Sequence, residues 1–147
     1  MPTADIDHHL IMKLEMERLE ALVDPTDSQL EKRLLKLRSY GPNSYASLTD
    51  EAGNYLQVAG GGVTCMIEKF DVAASERLRA FHNQPSPVFP DGTVLAFSGG
   101  ELALRADEWF QAAAVVDVFL CFKHGRPFGP GVHWREAPHW PSALAAE

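Results

Sequence analysis

The chain has 147 residues, 46% of them apolar, which suits one hydrophobic core and argues against a disordered polymer. A formal net charge of −7 argues against general nucleic-acid binding, which rests on Lys and Arg neutralising phosphates, and no window approaches the ~18 consecutive apolar residues of a membrane span. No basic segment precedes an apolar run near the N-terminus, so a secretory signal is not expected; Cys65 and Cys121, set among apolar neighbours, read as reduced thiols in a cytoplasmic protein, with a bond between them left open.

Early in the chain Leu10, Met12, Leu14 and Met16 alternate with Ile11, Lys13, Glu15 and Glu17, a period of two that predicts a strand. A helix is the rival reading for residues 8–18, because Ile6, Leu10 and Leu14 also repeat at four. Asp24-Pro25 ends this segment. Thr26-Asp27-Ser28-Gln29 then reads as a capping box, and Leu30, Leu34, Leu35 and Leu37 continue a helix to about Arg38. Its basic residues Lys32, Arg33, Lys36 and Arg38 form a solvated face. Tyr40-Gly41-Pro42-Asn43 turns the chain.

Three strands are expected next, Tyr45 to Leu48, Tyr55 to Val58 and Val63 to Phe70. The first pair is joined by Asp50-Glu51-Ala52-Gly53-Asn54. Gly60-Gly61-Gly62 joins the second, and it lacks the Lys-Ser/Thr that a phosphate cradle needs. Ser75 to Phe81 reads as one or two helical turns with Leu78 and Phe81 inward. Pro85, Pro87 and Pro90 enforce an extended connection, a place to look for partner contacts. Thr93 to Phe97 and Leu102 to Leu104 make two further strands. A long helix follows, with Trp109, Ala112, Ala113, Val116, Phe119 and Leu120 on its buried stripe. Asp107 and Glu108 would occupy its first turn, Lys123 and His124 its last, and Gly125 would close it in the left-handed conformation. Val132 to Glu136 forms a final strand. The order β-α-β-β-β-β-β-α-β predicts an α+β fold, a mostly antiparallel sheet of about six or seven strands with two helices packed on it, in one domain over 1–147 with frayed ends at 1–6 and 138–147.

Catalytic and metal readings find little footing. Cys121, His124 and His133 could be drawn as zinc ligands, but no Cys pair or His-Glu-x-x-His frame accompanies them. His8-His9 reads as exposed. Cys65 with His82, or Cys121 with His133, could be drawn as a dyad, yet apolar surroundings raise a thiol's pKa. Asp50/Glu51 and Asp107/Glu108 have better local reasons as turn and helix start. No catalytic residue, metal or cofactor is expected. Trp109 and Trp134 read as core and Trp140 as an exposed contact candidate.

The closing segment "ALRADEWFQAAAVVDVFLCF", the Arg126-Pro127 turn and "VHWRE", together with the "GNYLQVAGGGVTCMIEKF" hairpin, resemble the immunity proteins of bacterial polymorphic toxin systems. The resemblance covers roughly Tyr45 to Glu136 and is nearest to the family paired with deaminase-type toxins, with Trp134, Glu136 and Trp109 as its motif core. The long helix and the Pro-rich connection before Asp91 depart from that family. The resemblance implies a non-enzymatic cytoplasmic inhibitor, a monomer or weak homodimer, that covers the active site of a basic toxin and touches neither nucleic acid nor membrane. Charge complementarity would then fall to acids expected on loops and hairpin ends: Asp50, Glu51, Glu68, Asp71, Glu76 and Asp91. Two alternatives differ in class. One is a ligand-binding or enzymatic domain with a pocket between sheet and helix lined by Trp109, Cys121, His133 and Trp134; the other is a subunit of a larger assembly with a broad apolar patch.

Overall fold

A computed structural model describes residues 11–138. His8, His9 and Trp140, and all but Pro138 of the expected frayed ends, lie outside this range. The elements in chain order are β1 (Met12–Met16), β2 (Leu19–Val23), α1 (Asp27–Leu35), β3 (Tyr45–Asp50), β4 (Tyr55–Gly61), β5 (Thr64–Asp71), β6 (Glu76–Phe81), β7 (Thr93–Phe97), β8 (Gly100–Leu104), a 3-10 turn (Ala106–Glu108), α2 (Ala112–His124) and β9 (His133–Glu136). The fold is α+β. Seven antiparallel strands form one sheet in the order β2-β1-β3-β4-β5-β6-β9, and β7-β8 form a separate hairpin.

The alternation in β1 is that of a strand with one buried face, Met12, Leu14 and Met16 inward. Across the sheet, Leu14, Leu48 and Leu56 pair in register, as do Met16, Ala46 and Val58. These rows, with Cys65, Ile67 and Ala80, face α1 and α2, whose Leu30, Leu34, Val115, Val116, Val118 and Phe119 complete the main core. The opposite face carries a second core in which Ala59 and Met66 meet Leu95, Phe97, Leu102 and Leu104 of the hairpin and Trp109. The sheet is thus covered by helices on one side and by a hairpin on the other.

The expected capping box is present: Gln29 N donates to Thr26 Oγ1 at 3.0 Å and Thr26 N to Gln29 Oε1 at 2.9 Å. Gly125 closes α2 with φ 65°. Gly61 lets the sheet approach the end of α1 closely; a Cβ there would lie 2.1 Å from the Leu37 carbonyl oxygen.

Two expectations fail, and one strand is present where the sequence reading placed no element. Leu19–Val23 is a strand that returns along β1, because Arg18 takes φ 59° and reverses the chain after Glu17. Glu76–Phe81 is a strand, not helical turns: it pairs with β5 and β9, and Ala80 and Arg79 are its buried residues. The long helix starts only at Ala112. Asp107 and Glu108 sit in the 3-10 turn, and Phe110 pairs with Cys65 through two backbone hydrogen bonds that hold Trp109 and Phe110 extended. Trp109 therefore belongs to the hairpin-side core rather than to the helix stripe, where Ala113 is exposed.

Candidate functional site

Of the six acids expected at a contact surface, four gather at one end of the large sheet. Asp50 and Glu51 lie at the β3–β4 turn and Asp71 and Glu76 flank the β5–β6 turn. The two turns are tied together, since Val72 N donates to Asn54 Oδ1 at 2.8 Å. Glu136 joins them from β9, where it lies opposite Leu78 and is exposed. The other two acids are elsewhere. Asp91 is exposed but holds the 3-10 turn, accepting from Ala106 N at 2.8 Å. Glu68 is the clear correction: it is fully buried, because its row of the sheet lies beneath the hairpin and the 3-10 turn.

The turns at the acidic end are rigidly built. Asp50 Oδ1 accepts from Ala52 N and Asn54 N at 2.9 and 3.0 Å. Asp71 Oδ1 accepts from Ala73 N at 3.0 Å and Ala74 N at 3.3 Å. These carboxylates shape their own loops while keeping their charge at the surface. Between Asp71 and Glu76 the tip Val72-Ala73-Ala74 stands exposed, and Ser75 turns it with φ 52°.

Beside this rim the sheet is covered by the Gly/Pro-rich connection instead of a helix. Phe128 from that connection packs on Trp134 at 5.1 Å between ring centroids, and both are half-buried. The Lys69 ammonium lies 4.6 Å from the Trp134 centroid and 5.0 Å from that of Phe128, a cation–π arrangement. Burial pulls the Lys69 pKa down, and nearby Asp71 and Glu76 only partly offset it. Half-buried Leu78 is the cross-strand neighbour of both Lys69 and Glu136. An apolar, aromatic corner rimmed by Asp71, Glu76 and Glu136 results.

On the opposite face a polar row crosses the sheet beneath the hairpin: Gln57, Glu68, Arg79 and Arg135 on β4, β5, β6 and β9. Arg79 donates to Glu68 Oε2 from Nε at 2.9 Å and from Nη2 at 2.8 Å, and its Nη1 reaches Glu108 Oε1 at 3.4 Å. Arg135 grips Asp107 with both Nη atoms, at 3.1 and 2.9 Å, and Glu108 at 3.0 Å. The hydrogen bonds that Arg135 donates to Asp107 hold its pKa above the usual value despite partial burial. Every charge here has an opposite partner, so the row locks the 3-10 turn onto the sheet.

A groove of about 1020 Å³ lies between the Pro-rich connection and the start of α2, walled by Pro87, Phe89, Trp109, Phe110, Ala114 and Val132 among others. Cys121, His133 and Trp134 do not line it, so the four residues expected around one pocket do not converge. His82 does line it, but its Nε2 is bonded to the Trp109 carbonyl at 2.7 Å and its Nδ1 accepts from Gln84 N at 3.1 Å. Burial pushes the Cys65 thiol up to about 12, and its Sγ points at the Gly62 carbonyl at 3.7 Å rather than at an imidazole. Both cysteines are free thiols. His124 is bonded to Asp27 and His133 to Asn83, and among the described residues no three His, Cys, Asp or Glu side chains are placed to share a metal ion. No helix among the described residues is long and apolar enough to cross a membrane.

Comparison with known proteins finds no matching family model, no matching curated protein and no matching solved structure.

Proposed function

We propose that this chain is a protein inhibitor of the immunity-protein kind, acting in the cytoplasm on a co-encoded bacterial toxin, with a deaminase-type enzyme as the first candidate. The observation that carries the reading is the gathering of Asp50, Glu51, Asp71, Glu76 and Glu136 at one end of the sheet. A toxin that works on nucleic acid needs a basic groove for its substrate. An acidic protein that fills this groove gains complementary charge and a faster encounter, and excludes the substrate. The inhibitor needs no bond-making group; it needs a rigid surface, and hydrogen-bonded turns on a seven-stranded sheet supply one.

The test is co-expression with the C-terminal domain of a large secreted protein encoded beside this chain. That domain should stop growth alone and be harmless when the chain is present. Growth arrest that the chain does not relieve would refute the reading. The groove beside Trp109 supports a second reading, ligand binding, which a soluble small molecule that raises the melting temperature would favour.

A further inference from the structure

Resting on that reading, we propose that the docking surface is the corner where the β5–β6 tip meets the end of β9, and that it takes a Lys- or Arg-bearing segment of a basic protein. The corner exposes an apolar tip beside a half-covered aromatic pair. Val72 is 42% exposed, with Ala73 and Ala74 beside it in solvent, and the aromatic pair Phe128 and Trp134 is only half-covered. Apolar tips are usually tucked in or left mobile. This one is fixed by three hydrogen bonds, from Val72, Ala73 and Ala74 N–H groups to Asn54 and Asp71 side chains. A surface already fixed in shape loses little conformational entropy on binding.

Charge then selects the occupant. Asp71 and Glu76 flank the tip, Glu136 stands across from Leu78, and Asp50 and Glu51 lie on the adjoining turn. The opposing cations are Lys69, held over the aromatic rings, and Arg77, whose Nη2 donates to the Pro138 carbonyl at 2.6 Å. Among the described residues, five carboxylates stand against two cations, so the corner presents net negative charge around an apolar centre. That pattern fits the anatomy of a protein interface, an aromatic and aliphatic anchor inside a charged rim, and it fits a cationic partner. Lys69 already lies over the Phe128 and Trp134 rings, so a partner's guanidinium or ammonium meets the rim carboxylates here while its apolar stem packs on the exposed tip.

The probe is the purified toxin domain encoded beside the chain, titrated calorimetrically with wild type, with Glu76→Lys/Glu136→Lys, with Val72→Ser and with Glu101→Lys on the remote β8 strand. All four substituted positions are exposed, and circular dichroism checks that each variant is folded. The charge-reversed pair should lose about thirtyfold or more in affinity and Val72→Ser about tenfold, while Glu101→Lys stays within about twofold of wild type. Wild-type binding that survives unchanged in the corner variants overturns this surface and leaves the proposed function standing. Absence of wild-type binding overturns both. Sedimentation of the chain alone supplies the last arm: a dimer that Glu76→Lys/Glu136→Lys dissociates would assign the corner to a second copy and overturn the proposal.

Discussion

Arg79 and Glu68 face one another across β6 and β5 with two hydrogen bonds, 2.9 and 2.8 Å, to a single carboxylate oxygen, and both side chains are buried. The pair sits where the hairpin and the 3-10 turn close over the sheet. Isolated there, either charge would be strongly disfavoured. Together with Glu108 they turn a polar row into the fastening of the second core.

Removing one partner is therefore costly. Arg79→Met strips the buried Glu68 carboxylate of its two short hydrogen bonds and leaves it the longer contacts of Gln57 at 3.4 Å and Arg77 at 3.7 Å. It should destabilise the protein by about 3–5 kcal/mol, whereas the double replacement Glu68→Leu/Arg79→Met should cost much less. Urea unfolding of the three proteins checks this; equal losses for single and double variants would show that the pair is not coupled.

Packing at the glycine turn gives a sharper stability test. Gly61→Ala would drive a methyl group onto the Leu37 carbonyl, against backbone that cannot yield without moving α1. A loss of about 2–4 kcal/mol is expected, in the range of severe overpacking. Gly131→Ala, whose Cβ would meet nothing within 4 Å, is the control and should leave the melting temperature nearly unchanged.

Acid should loosen the link between β1 and the hairpin. Burial pushes the Glu17 carboxyl up, but hydrogen bonds from Ser98 and from Ser44 N–H and Oγ outweigh it, and the net pKa lies below the ordinary 4.5. A carboxyl held low in the folded state adds stability that is complete above its unfolded value and vanishes as pH falls through the folded one. Wild type should thus lose stability relative to Glu17→Gln as pH drops below about 4.5, and the two curves should run parallel near neutrality. A difference that persists unchanged to low pH would contradict it.

Thiol labelling separates the two cysteines. With its pKa raised to about 12 by burial, Cys65 carries almost no thiolate at pH 7.5 and should resist iodoacetamide until the protein unfolds. Cys121 is partly exposed and should label first. Mass spectrometry reads the order directly, and rapid native labelling of Cys65 would refute the burial.

What the sequence reveals of this fold is what short-range chemistry controls. Thr26 with Gln29, Gly125, and the hairpin loops at Asp50–Asn54 and Gly60–Gly62 all act through neighbours in the chain, and they announce α1, the end of α2 and β3 to β5. The misreadings come from long-range partners. Arg79 breaks the apolar pattern of β6 because its counter-charge is Glu68, eleven residues away, so the segment looks helical and Glu68 looks exposed. Trp109 continues the helix period, yet the Phe110–Cys65 bridge keeps it extended. Arg18 turns β1 into β2 without glycine or asparagine to signal it. For the candidate surface, the loop acids are legible as charge, but their meeting with Glu136 and Trp134 follows from the pairing of β9 with β6, which no local pattern encodes.

Recognition of a basic protein by the acidic end of the sheet, as proposed, is tested most directly by the association rate with the C-terminal domain of a large secreted protein encoded beside the chain as salt is raised. Steering by exposed carboxylates predicts a rate that falls at least about tenfold between 50 and 500 mM NaCl, with a dissociation rate that changes far less. An association rate indifferent to salt, or no association at any salt, would contradict it.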